Sequence, residues 1–150
     1  MVKKNKDIQY YEAVGRRKEA VAVVRLYIVD KEKKSVVNDL KIKKGEIFVN
    51  GKPIEKIFSS LEEKLIYQKP LKLTQNDDRF AISIKVRGGG KKGQLEALTL
   101  GIAKALVLVD NNYRKKLKEE GLLRSDSRLK ERRKVGTGGK ARRKKQSPKR

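Results

Sequence analysis

The last 21 residues of this 150-residue chain, Lys130 to Arg150, carry 11 cationic side chains against one acid, Glu131, and one large aliphatic residue, Val135. Gly136, Gly138, Gly139 and Pro148 lie in the same stretch. Such a segment cannot bury enough apolar surface to offset the entropy of ordering it. Any packed core must therefore be built upstream. Residues 1–123 read as a globular domain and residues 124–150 as an extended basic tail, disordered alone and ordered against phosphates.

Lys130 to Arg150 hold a net +10 of the formal +23, leaving +13 on the preceding residues. Cations this dense repel one another unless a polyanion neutralises them. A pI near 10.3 points to nucleic acid ahead of an anionic membrane surface. The chain has no His and no Cys. That excludes thiolate nucleophiles, imidazole bases, Cys/His zinc sites and disulfides. No apolar run is long enough to span a membrane, and no apolar stretch follows the basic Met1–Asp7 as in a secretory signal.

The body has clear periodicities. Ala20, Ala22, Val24, Leu26 and Ile28 alternate with residues that include Arg25 and Tyr27, which predicts a strand with one face buried and the other partly covered. Phe80, Ile82, Ile84 and Val86 mark a second strand, and Ile8–Val14 a third. Ile47–Val49 runs into Asn50-Gly51, a pair that tolerates positive φ in a tight turn. Gln94–Val109 carries Leu95, Leu98, Ile102, Leu106 and Val109 at helical spacing, with an apolar stripe wide enough to cover a sheet. Tyr113–Glu120 predicts a short helix capped by Gly121. Pro53–Phe58 predicts another, and Leu61–Tyr67 one that stops before Pro70. Asp30–Lys44 is a charged connection with little periodicity. The order predicts an α+β fold, a two-layer sandwich with helices on one face of a mainly antiparallel or mixed sheet.

Two cationic clusters in the body stand out. Gly15-Arg16-Arg17-Lys18 reads as a turn between the first two strands, a compact phosphate clamp. Arg87-Gly88-Gly89-Gly90-Lys91-Lys92-Gly93-Gln94 joins a strand to a helix, where small residues let a phosphate backbone approach. It is not a P-loop, because Gln94 and Leu95 stand where Lys and Ser/Thr are required. Arg128, Lys130, Arg132, Arg133 and Lys134 mark the entry to the tail. The aromatics Tyr10, Tyr11, Tyr27, Tyr67, Tyr113, Phe48, Phe58 and Phe80 all lie in the body, and Phe80 reads as core. Recognition by phosphate contact and shape follows, with little base reading. Glu62-Glu63, Asp77-Asp78 and Glu119-Glu120 read as surface or turn carboxylates, and no metal-ligand spacing occurs. Nothing supports an enzyme, a cofactor or a small-molecule substrate.

Several blocks together resemble the small-subunit ribosomal protein S-nine family. They are Gly15 to Leu26, Gly45 to Pro53, Val86 to Gln94, Gly101 to Leu106, Gly121 to Arg128, Glu131 to Lys134, and Lys140-Ala141-Arg142-Arg143 with Lys149-Arg150. They run in order from about Tyr11 to Arg150. The resemblance implies a left-handed βαβ crossover, as in the second domain of the S-five family. It implies a cytoplasmic place in the head of the small ribosomal subunit, no enzymatic activity, and contacts with ribosomal RNA and neighbouring head proteins. Taken with the cationic clusters and the tail, this places the ribosomal-RNA contacts at Arg16, Arg17, Lys18, Arg87, Gly88, Gly89, Gly90, Lys91, Lys92, Arg128, Arg132, Arg133, Lys134, Lys140, Arg142 and Arg143. The resemblance carries Lys149 and Arg150 to the peptidyl-site transfer RNA. A Lys-Arg ending resembles the bacterial form, although Pro148, which fixes φ, departs from it. The longer Asp30–Lys44 connection suggests a hairpin extension. Two other readings are a protein subunit of an RNA-processing ribonucleoprotein and a DNA-compacting protein. The Arg-Asn-Arg-type helix of the first is absent, and the patterned core argues against the second.

Overall fold

The structure, a computed structural model, describes residues 2–5, 8–28, 35–37 and 40–130. The strands are β1 (Val2–Asn5), β2 (Ile8–Arg17), β3 (Ala20–Ile28), β4 (Ser35–Val37), β5 (Leu40–Ile42), β6 (Ile47–Val49), β7 (Lys52–Pro53) and β8 (Phe80–Arg87). The helices are α1 (Ile54–Ile57), α2 (Leu61–Leu73), α3 (Lys91–Val109) and α4 (Tyr113–Glu119). One mixed sheet has the order β1-β2-β3-β8-β6-β7, and β4-β5 forms a separate antiparallel ribbon inside the Asp30–Lys44 connection. β6 runs parallel to β8, with α1 and α2 in the crossover between them. All other pairings in the main sheet are antiparallel.

Alternation dictates the two faces. Ala20, Ala22, Val24 and Leu26 of β3 and Phe80, Ile82, Ile84 and Val86 of β8 are buried in one core. The same core takes Ile54 of α1, Tyr67 and Leu71 of α2, Leu98, Ile102 and Leu106 of α3, and Leu117 of α4. The helices thus cover a single face of the sheet, as the pattern predicts. On the opposite face Tyr10, Tyr27 and Ala81 stand in register and are also buried. Arg25 lies 5.3 Å over the Tyr10 ring and pairs with Glu12 at 2.8 Å. A cation–aromatic contact and an ion pair close over this second apolar patch.

α3 comes unusually near the sheet because small residues face each other. A Cβ on Gly15 of β2 would lie 2.6 Å from the Gly101 nitrogen and collide with the Ala97 carbonyl. A Cβ on Gly101 would lie 2.6 Å from Cγ2 of Val24. Gly93, Ala97 and Gly101 recur every four residues, so they form one row along the helix.

Four elements differ from the sequence expectations. Gly15, Arg16 and Arg17 belong to strand β2, and only Lys18-Glu19 form the turn. Their cations suggest a loop, but the register with Ala20–Ala22 holds them in the sheet. α3 starts at Lys91, so the junction after β8 is only Gly88–Gly90 long. α2 continues through Pro70 to Leu73. The hydrogen bond that Pro70 cannot make would go to the carbonyl of Ile66, an exposed residue that water can serve. Pro70 and Leu71 are buried, and that burial offsets the helix-breaking cost. Finally, β1 adds an edge strand in the basic segment before β2, where no periodicity marks it.

Candidate nucleic-acid interface

The two body clusters, some 70 residues apart in sequence, meet at one end of the sheet. Val21 of β3 pairs with Arg16 on one side and Arg87 on the other. Cross-strand partners point to the same face, so Arg16 and Arg87 flank Val21 roughly 10 Å apart, two strand spacings. The turn next to them puts Lys18 at φ +53, a conformation uncommon outside glycine.

Glycine is required in the junction for two reasons. Gly88 and Gly89 adopt φ +71 and +66. A Cβ on Gly88 would lie 2.5 Å from the Glu19 carbonyl oxygen, and one on Gly89 would lie 2.9 Å from Cβ of Ala20. The glycines therefore nest against the β2–β3 turn, which brings the turn that carries Lys18 to the same end of the sheet as the start of α3. Gly90 caps α3, and no side chain bonds the first-turn N–H groups. These unsatisfied donors add partial positive charge at the same end. Gln94 Nε2 donates to the Gly88 carbonyl at 3.1 Å and braces the junction from inside the helix.

The cations differ in how they are held. Arg16, Lys18, Arg87 and Lys92 are exposed and make no ion pair with another described residue. Lys91 pairs with Glu63 at 2.7 Å and lies 5.9 Å from the Phe58 ring centroid. Glu63 also accepts the backbone N–H of Ser60 in a capping box at the start of α2. The Lys91 hydrogen bond, with help from the Ser60 N–H, holds the Glu63 carboxyl below its ordinary range. Arg17 points to the helical side, into Glu96 and Asp126. Arg128 is exposed and forks onto Asp126. Arg132, Arg133, Lys134, Lys140, Arg142, Arg143, Lys149 and Arg150 lie outside the described residues.

Sequence reasoning marked Asn50 as a turn residue but missed what its side chain holds. Its Nδ2 donates to the Val86 carbonyl at 3.1 Å, and its Oδ1 accepts the Val86 N–H at 3.0 Å. The side chain thereby continues the β6–β8 pairing up to the residue before Arg87. The Asn-Gly turn could be read locally, but this 36-residue contact leaves no local mark. Replacing Asn50 with Ala strands both Val86 groups and keeps a non-glycine residue at φ +49. Urea denaturation is expected to show a loss of about 2–4 kcal/mol, of which Asn50→Gly restores about 1.

Among the described residues no group of His, Cys, Asp or Glu could hold a metal ion, and no helix is long and apolar enough to cross a membrane. Cations, glycines and the first-turn N–H groups of α3 gather at one end of the sheet.

The family model for ribosomal protein S9/S16 matches residues 15–150. The chain is 43% identical over 135 residues to the small ribosomal subunit protein uS9 of Maridesulfovibrio salexigens, covering 90% of this chain and 92% of that one. It is 41% identical over 128 residues to the protein of the same name from Methylacidiphilum infernorum, covering 85% and 84%. A third, from Dehalococcoides mccartyi, is 40% identical over 136 residues, covering 91% and 90%. The matched span begins at Gly15, the glycine pressed against α3, and takes in both cationic clusters. The chain belongs to the ribosomal protein S9/S16 family.

Proposed function

We propose that this protein is a structural constituent of the small ribosomal subunit. The end of the sheet formed by Arg16, Lys18, Arg87, Gly88–Gly90 and Lys92 seats on phosphates of small-subunit ribosomal RNA. The convergence of two remote cationic clusters on one glycine-lined junction carries this reading. The names of the relatives support the small-subunit setting, and the family resemblance suggests a cytoplasmic place beside other head proteins.

The mechanism is charge placement. Each cation docked on a phosphate releases condensed counterions, so affinity falls as salt rises. Residues 124–150 extend the contact as a basic tail. In this reading Arg128, Arg132, Arg133, Lys134, Lys140, Arg142 and Arg143 follow the RNA, and Lys149 and Arg150 reach the peptidyl-site transfer RNA. Support for the tail comes from its charge and from the family resemblance.

In a sedimentation gradient of lysate the protein is expected to travel with small subunits. Protein remaining at the top while subunits sediment would overturn the reading. Deleting Lys149 and Arg150 leaves nine cations after Glu131 or beside it in the Lys130–Pro148 stretch. Assembly is expected to persist, while affinity of purified subunits for peptidyl-site transfer RNA drops roughly two- to ten-fold, the size of one or two exposed charge contacts. Unchanged affinity would remove the assignment of those two residues.

A further inference from the structure

Three charged groups from distant parts of the sequence meet where the chain leaves α4. That helix ends with the Gly121 N–H bonded to the Lys118 carbonyl and the Leu122 N–H to the Leu117 carbonyl, a Schellman ending that turns the chain sharply. Residues 124–130 then run without helix or strand. Within them, Asp126 is drawn back to the body. Arg17 Nε donates to Glu96 of α3 at 2.5 Å, and Arg17 Nη1 lies 3.2 Å from the Asp126 carboxylate. That Nη1 is inaccessible to solvent and lacks hydrogen-bond geometry to any partner, so its contact with Asp126 is one of charge. The Arg17 side chain is only 16% exposed. A phosphate approaching Arg17 Nε or Nη1 would compete with the carboxylate of Glu96 or Asp126.

Asp126 is fixed from the other side as well. It accepts the Arg128 backbone N–H at 2.9 Å and the Arg128 Nε and Nη2 at 3.0 and 2.7 Å. These bonds, and then the charge of Arg17, hold its carboxyl far below the usual range, so it stays ionised at neutral pH. The Arg17–Asp126 contact is the last described tie between body and tail before the cations of residues 131–150.

We propose that Arg17, Glu96 and Asp126 form a latch that fixes where and in which direction the basic tail leaves the body. Arg17 is then a positioning residue and not a phosphate ligand. Its neighbour Arg16, on the open face of the same strand, keeps the phosphate-facing role. The effect of the latch on RNA rests on the function proposed above, but the latch itself can be tested without RNA.

The chain has no cysteine, so Ser127→Cys accepts a single nitroxide label. The full-length labelled protein is expected to give a restrained electron-paramagnetic-resonance line shape. Asp126→Asn is expected to mobilise the label, and so is Arg17→Lys, which keeps the charge but cannot span both carboxylates. Asp126 lies outside the core, so its variant keeps the fold if Arg17→Lys does not. Affinity for small-subunit RNA supplies a test of sign. Asp126→Asn removes an acid, and charge counting alone calls for tighter binding. The latch calls for binding weaker by roughly two- to five-fold, the size of one partly exposed ion pair. An unchanged line shape, or tighter binding by Asp126→Asn, would overturn the latch. If the parent protein bound no RNA at all, the proposed function would fall while the line shape still decided the latch.

Discussion

Gly15→Ala is expected to be the most damaging single substitution in the body, costing about 3 kcal/mol or more. The added methyl group would lie against the Ala97 carbonyl and 2.6 Å from the Gly101 nitrogen. Both obstacles are backbone, so no rotamer change relieves them. Strand and helix would have to separate, and the core between β3, β8 and α3 would open with them. Two controls isolate the cause. Gly101→Ala meets the Val24 side chain at 2.6 Å and backbone only at 3.4 Å, at the Gly15 nitrogen, so it costs less, and Val24→Ala should recover part of the loss. Gly90→Ala faces open space at φ −97 and is expected to stay within about 0.5 kcal/mol of the parent. Urea midpoints for the three variants check the order. A Gly15→Ala protein as stable as Gly90→Ala would mean that α3 does not lie so near β2.

The second large effect concerns RNA and leaves stability alone. Arg16, Arg87 and Lys92 are exposed and without ion pairs to other described residues, so replacing all three with Ala removes no packing. At about 1 kcal/mol for each phosphate contact, affinity for small-subunit RNA is expected to fall about 100-fold. Contacts to phosphates, as proposed, predict a loss that is similar across RNA sequences and shrinks as salt rises. Lys91→Ala should behave differently. Its ion pair with Glu63 ties the start of α3 to the start of α2, so the variant loses some stability as well as charge.

Much of this fold could be read from local pattern. The alternation in β3 and β8, the long apolar helix and the Asn-Gly turn all declare themselves within a few residues. What stayed hidden depends on partners far along the chain. Arg17 looks like a third member of a cationic turn. Only the strand register, which sends alternate side chains to opposite faces, shows that Arg16 and Arg17 stand on different sides of the sheet. Glycines 88 to 90 suggest a phosphate-binding loop, but the tight fit of Gly88 and Gly89 against Glu19 and Ala20 appears only in three dimensions. Pro70 marks a helix end by propensity, and the burial of Pro70 and Leu71 overrides it. Nothing local marks Asp126 as a partner of Arg17, because the pairing spans more than a hundred residues. The cations of residues 131–150 are plain in the sequence, but their structural setting lies outside the described residues.

The central claim is that position, and not total charge, makes the Arg16–Arg87 end the RNA-facing surface. Two variants with the same loss of charge separate these. One carries Ala at Arg16, Arg87 and Lys92. The other carries Ala at Lys43, Lys44 and Lys72, exposed cations toward the end where β8 begins. The measurement is the slope of log affinity for small-subunit RNA against log salt concentration. Three lost phosphate contacts should reduce the steepness of the first variant's slope by roughly 2–3, at 0.7–0.9 per phosphate. The second variant should keep nearly the parent slope. Equal reductions in the two variants would contradict the account, because the protein would then be binding as a diffuse cation with no preferred end.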